Sequence, residues 1–433
     1  MVKPQKLTLR CYGVGFGDCF LLTFHYGDST GDRHMLIDFG CTEKPPNARK
    51  DLMSAITADI EQTVGERLHI IVATHRHTDH ISGFATAAKG TGTGDRIAKL
   101  KPALVIQPWT EQPDAPRDFT GPAQALTAAA DDALRLSLDR MRRAAATSLT
   151  EAKHLGKQVS DDVTFIGSDG LENMSAVKNL ARMGKQGQAE YVSYGKKIPA
   201  FATLLPGVQV DVLGPPTIRQ KSDITRENPN HPQEYWNFAN YWKLRAATSE
   251  IVEKGNAHLF PKAAIFGKND VPPEARWFLR RLKKARGQQL LGIVRAMDDA
   301  LNNTSVILLL RAGNKKFLFP GDAQWENWEY AIGKNLADLK DVDVYKVGHH
   351  GSLNATPKSL WNNFDKKSTD KTAGRLCSVM STRSNSKHGS RAKGTEVPRD
   401  KLVAALQAFS DLHSTQELEP AGGLVLKVEF DLG

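Results

Sequence analysis

No run of apolar residues in this 433-residue chain approaches the roughly 20 that a membrane-spanning helix needs. The opening, MVKPQKLTLRCYG, lacks the apolar core of a signal peptide, so neither a membrane protein nor an exported one is expected. Cysteine is scarce: Cys11, Cys19, Cys41 and Cys377 show no CxxC spacing and fall far short of a disulfide scaffold. Reduced thiols in a cytoplasmic protein are the expectation. Repeats at solenoid periods and low-complexity tracts are missing too. The glycines of GVGFGD (13–18) are not spaced GxGxxG, and the strand-like CFLLTF follows them where a helix would have to start. No helix N-terminus then faces a phosphate, which removes a dinucleotide loop.

What remains is a globular composition, 40% hydrophobic and 24% charged. The length allows one large domain with insertions, or two domains. Lys and Arg number 58 against 48 Asp and Glu, a formal charge of +10 that concentrates polyanions and makes nucleic acid a plausible partner.

Residues 1–114 have α/β texture. Leu7–Tyr12, Cys19–His25, Met35–Asp38, Leu68–Thr74 and Ala103–Gln107 are expected strands, with a helix over Asp51–Val64. Residues 115–290 are expected to be an insertion. Leu126, Ala130, Leu134, Leu138, Met141 and Ala145 recur there at helical spacing, and a strand pair is expected around Phe201–Leu213. Residues 291–433 return to α/β, with a hairpin of SVILLL (305–310) and KKFLF (315–319). Strands near 342–347, 376–380 and 424–430 and helices from Trp325 and over Arg399–Phe409 complete it.

Three strand ends carry chemistry. HRHTDH (75–80) follows the apolar LHIIVAT, and imidazole and carboxylate at this spacing are ligands for zinc or manganese. FPGD ends another apolar strand in Asp322, a carboxylate able to bridge two cations. VYKVGHHGS (344–352) ends a third strand in His349 and His350. Each motif has a bland alternative, a polar turn or a surface histidine; their recurrence at strand ends favours ligation.

These motifs resemble the metallo-β-lactamase superfamily, and the resemblance implies a four-layer αββα sandwich carrying a helical insertion. HRHTDH is similar to its HxHxDH motif, GD to its bridging aspartate, and GHH to its final histidine. VGFGD (14–18), IDFG (37–40), NNTSV (302–306), GDA (321–323) and KVGHHGS (346–352) look like the ComEC-type branch, the hydrolase-like domain of DNA-uptake proteins. The resemblance implies two divalent ions, Zn²⁺ or Mn²⁺. His75 and His77 would hold the first, Asp79, His80 and His349 the second, and Asp322 would bridge them. Asn302 or Asn303 occupies a slot where many relatives have histidine, and Asn302 is the expected weak ligand. His154, His231 and His258 are other histidines that the insertion offers. Asp79, His350 and His388 are the expected catalytic groups, His350 as a pocket residue and His388 as a general acid or phosphate contact. Asp18 would orient a ligand from behind.

Two basic stretches bear on the substrate. ARWFLRRLKKARG (275–287) would follow a phosphate backbone or form a solvated face, and STRSNSKHGSRAKG (381–394) packs cations into a loop. The sequence thus points to a phosphodiesterase acting on DNA. Alternatives are hydrolysis of a small ester, lactone or phosphorylated metabolite, and a non-catalytic nucleic-acid-binding relative.

Overall fold

The computed structural model describes residues 2–112, 173–217, 219–221, 301–352, 356–371, 374–386, 391 and 396–433. Among these residues, thirteen strands build two mixed sheets. One contains β1 (Lys6–Tyr12), β2 (Cys19–His25), β3 (Arg33–Phe39), β4 (Ile70–Val72), β5 (Leu104–Pro108), β6 (Gln188–Val192) and β13 (Val425–Asp431), in the order β13-β1-β2-β3-β4-β5-β6. The other contains β7 (Val208–Gly214), β8 (Ile307–Ala312), β9 (Lys315–Phe319), β10 (Val344–Lys346), β11 (Cys377–Met380) and β12 (Asp411–Ser414), in the order β12-β11-β10-β9-β8-β7.

Both sheets follow one plan. Antiparallel strands (β13, β1, β2, β3 and β7, β8, β9) lead into parallel ones (β3 to β6 and β9 to β12). Parallel neighbours need long crossovers, and helices supply most of these. Helices cover the outer faces, which is why the strands are apolar on both sides rather than alternating. In β2, Phe20, Leu22 and Phe24 enter the layer between the sheets, while Cys19 and Leu21 face outward against helix Leu52–Val64. In β9, Phe317 and Phe319 face inward and Leu318 packs on Trp328 of helix Trp325–Asn335. The Phe20 and Phe319 rings meet edge to face at 6.2 Å, which locks one sheet on the other. Each such buried side chain contributes about 1.5–3 kcal/mol.

This is the expected αββα arrangement, with differences in detail. Residues 201–213 form a short helix (Phe201–Leu204) and then β7, not a strand pair. Residues 173–217 fall inside the expected insertion, yet they supply β6 and β7, an edge strand for each sheet. The mixed polarity of β6 suits an edge, where one side faces water, and that hid it as a sheet member. Helix Met174–Gln186 and β12 had no expectation. The expected helix from residue 120 onward and the basic helix 275–287 lie outside the described residues. Among the described residues, no helix is long and apolar enough to cross a membrane.

Candidate metal centre

The strand directions bring distant chain segments to one edge. The parallel strands β4, β9 and β10 all point their C-terminal ends there, where open α/β sheets characteristically bind ligands. β2 and β8 run antiparallel to their neighbours and so begin at the same edge. Asp18 precedes β2, Asp38 lies near the end of β3, and Asn302 to Ser305 precede β8.

After β4 the chain passes through Ala73 and Thr74, and the side chains that follow diverge. Arg76 turns to Glu111, its Nε donating at 3.0 Å, while His75 and His77 point together, with 3.1 Å between His75 Nε2 and His77 Nδ1. A single helical turn, Thr78–Ile81, then places Asp79 and His80. Gly40 lies beneath this turn, and a Cβ there would sit 2.3 Å from the Asp79 carbonyl carbon. Only glycine permits that approach.

Asp79, His80, Asp322 and His350 converge with ligand atoms all within 4.8 Å of one another. His80 Nε2 is 2.9 Å from Asp322 Oδ2, and His350 Nε2 is 3.0 Å from Asp79 Oδ2 and 3.5 Å from Asp322 Oδ2. Behind them, Asp38 Oδ2 receives His80 Nδ1 at 2.8 Å and the Thr74 hydroxyl at 2.7 Å, and Asp38 Oδ1 receives Thr74 N–H at 2.7 Å. His350 Nδ1 faces the Ser381 carbonyl at 3.1 Å and Asp18 Oδ1 at 3.5 Å. Each of these two imidazoles thus has an anionic or carbonyl oxygen behind Nδ1, which directs Nε2 into the cluster.

His349 was the expected ligand and His350 the pocket residue; the structure brings His350 into the cluster instead. Both take left-handed backbone conformations, φ 41° and 53°, so the chain curls at the strand end. The second ring then turns inward, fully buried, while the His349 ring stays 24% exposed at the rim. His349 Nε2 still comes to 4.0 Å of Asp322 Oδ2, and its backbone N–H donates to Asp322 Oδ1 at 3.0 Å. Asn302 is buried near the His77 ring. Asn303 accepts Gln324 N–H and donates to Glu326 at the start of helix Trp325–Asn335. Asp18 lies behind His350, its Oδ1 3.5 Å from His350 Nδ1. His388, His154, His231 and His258 lie outside the described residues.

The electrostatics call for cations. Burial disfavours a charge on His80, but Asp322, Asp79 and Asp38 overcome it and hold its proton far above the usual imidazole range. His350 is raised in the same way, burial being outweighed by Asp322 and Asp18. Asp79 and Asp322, despite burial, are held well below the usual carboxylate range, His80 first among the causes in each. His75 and His77, by contrast, are pushed down by burial and stay neutral, the form that donates a lone pair. His349 is likewise pushed down to about 4 by burial, and its Nδ1 is buried without a hydrogen-bond partner. Buried carboxylates converging with imidazole nitrogens form the kind of donor set that divalent ions fit.

Sequence reasoning gave no role to Asp38 or Lys346. Lys346 ends β10, 2% exposed, its ammonium ion-paired with Asp18 and donating to the Gly321 carbonyl at 3.0 Å. A lysine inside the apolar VYKVG was the signal for it, since an unpaired ammonium is almost never fully buried. Asp38 left the same kind of trace in LIDFG, a carboxylate closing an apolar strand.

No curated protein matches the chain. Residues 12–139, which include the HRHTDH turn, Asp18 and Asp38, match the metallo-beta-lactamase superfamily, a superfamily of metal-dependent hydrolases, and this part of the chain is similar to its domain.

Proposed function

We propose that the protein is a metal-dependent phosphodiesterase that cleaves DNA. The observation that supports this most directly is the meeting of Asp79, His80, Asp322 and His350 at the converging strand ends. His75, His77 and Asn302 would hold one divalent ion, and Asp79, His80 and His350 a second. Asp322 would serve both, and His349 stands at the rim within reach of Asp322. When bound, such ions activate water at neutral pH and neutralise charge developing on the attacked group. The chain's own part is orientation and exclusion. Asp38 and the Ser381 carbonyl fix the His80 and His350 rings, Ser305 Oγ accepts Asp322 N–H at 3.1 Å, and burial keeps bulk water from the ligand atoms. His388 remains the proposed contact to the substrate's phosphate or leaving group.

DNA as substrate rests on the net charge of +10, on the basic stretches 275–287 and 381–394, and on the resemblance to the ComEC-type branch. A cytoplasmic setting is proposed with it, consistent with four free cysteines. The test uses single- and double-stranded DNA with Mn²⁺ or Zn²⁺ and the His77→Ala and Asp322→Ala variants. Metal-dependent cleavage lost in both variants supports the proposal. Turnover confined to a small chromogenic diester or ester refutes DNA as the substrate, and salt-sensitive DNA binding without turnover refutes catalysis.

A further inference from the structure

Lys346 has no task in the hydrolytic reading. Burying an ammonium costs several kcal/mol unless its hydrogen bonds are met. Here three oxygens meet it: Asp18 Oδ2 as an ion pair, the Gly321 carbonyl at 3.0 Å, and Asp322 Oδ1 at 3.4 Å. Two of these contacts are hydrogen bonds and the third is an ion pair, matching in number the three N–H groups of an ammonium. The Phe20 ring, with its centroid 5.9 Å away, lies beside this nest. The oxygens come from both sheets, Asp18 from the start of β2 and the other two from the loop after β9. Asp322 is thereby divided. Its Oδ1 serves Lys346 and the His349 N–H, while Oδ2 faces His80 and His350.

We propose that Lys346 is a resident cation of the centre, a tethered ammonium filling a cation position lined by Asp18, the Gly321 carbonyl and Asp322, which sets how strongly the cluster draws divalent charge. The inference rests on the metal-centre reading above. Asp18, Asp38, Asp79 and Asp322 are all buried around the cluster. Two divalent ions alone would neutralise these four carboxylates. With Lys346 in place the same ions leave one positive charge over, available to an anionic substrate. Unlike an ion, this charge does not dissociate into a chelator. Lys346 is therefore a positioning residue that also moderates ion affinity.

The test is calorimetric titration of the purified full chain with Mn²⁺. Lys346→Met keeps the stem and removes the charge. Two buried carboxylates then lose a cation, and Mn²⁺ should bind at least about tenfold more tightly than to the wild type. Affinity within about twofold of wild type, or weaker, in a variant whose circular dichroism is unchanged overturns the inference. The double variant Lys346→Met with Asp18→Asn removes one charge of each sign and should return Mn²⁺ affinity to within about threefold of wild type. A double variant as tight as Lys346→Met also overturns it. Should Lys346→Met alone fail to fold, the double variant decides: wild-type-like affinity supports the inference, and a tenfold departure overturns it. Wild-type protein that binds no Mn²⁺ sinks the metal-centre reading and this inference together; equal affinities sink the inference alone.

Discussion

Asp38→Asn tests whether a carboxylate behind the cluster sets its ligands. Asp38 takes a left-handed backbone conformation, φ 56°, and accepts three hydrogen bonds, from Thr74 N–H, Thr74 Oγ1 and His80 Nδ1. Asparagine would keep its oxygen on Thr74 N–H and turn its amide N–H toward the other two. The threonine hydroxyl rotates to accept, but the imidazole has only one remedy: it moves its proton from Nδ1 to Nε2. That places a proton where the cluster needs a lone pair. Loss of such a partner characteristically weakens ion binding about 10- to 100-fold, equivalent to roughly 1.4–2.7 kcal/mol. Competition against a chromophoric chelator at pH 7.5 measures it, with thermal melting as the control for folding. A folded Asp38→Asn protein that binds its ion within about twofold of wild type would refute the tautomer argument.

Chelation should lower the melting temperature by several degrees, since free ion at a hundred times its Kd adds about 2.7 kcal/mol to the native state; scanning calorimetry with and without EDTA reads this, and an unchanged midpoint counts against a native-state ion. Gly40→Ala forces a methyl into the Asp79–His80 turn, 2.3 Å from the Asp79 carbonyl carbon, so stability and ion affinity should fall together in urea melts and titrations. Burial holds His34 at about 4, well away from the cluster on β3, so below pH 6.5 the unfolded chain takes a proton that the folded one refuses, and stability falls as pH drops from 6.5 toward 4. The loss is about 1.4 kcal/mol per pH unit, and urea denaturation at pH 6.5 and 5.5 with chelator should show a shallower dependence in His34→Gln; equal slopes would exclude His34 as a source.

The strands were legible where they are buried on both faces. β2, β8 and β9 are runs of apolar residues with turn signals on either side, and no other element suits such a pattern. The edge strand β6 was not legible, because QAEYV has neither an apolar run nor alternation; only its neighbour β5 makes it a strand. The cluster was legible as residue types at strand ends, since few pressures besides ligation put a histidine or aspartate directly after an apolar run. The choice within His349–His350 was not. It depends on two left-handed residues that curl the chain after β10; histidine is enriched in that conformation, but residue type alone does not say that two in succession adopt it.

The division of ligands between the sheets carries a further consequence. Asp79 and His80 belong to the first sheet, Asp322 and His350 to the second, and the apolar layer between the sheets ends where they meet. Without cations the two sheets would appose buried carboxylates across that edge: Asp79 and Asp18 on one side, Asp322 on the other. The Lys346 ammonium, which spans from β10 to Asp18, offsets part of this charge, and the Asp79 and Asp322 carboxylates hold the His80 and His350 protons above the usual imidazole range. Cation binding at this edge would therefore be coupled to docking of the two sheets. Ions bound at the cluster would hold the sandwich closed, and substitutions that loosen the Phe20–Phe319 contact should weaken ion affinity from inside the core, without touching a ligand.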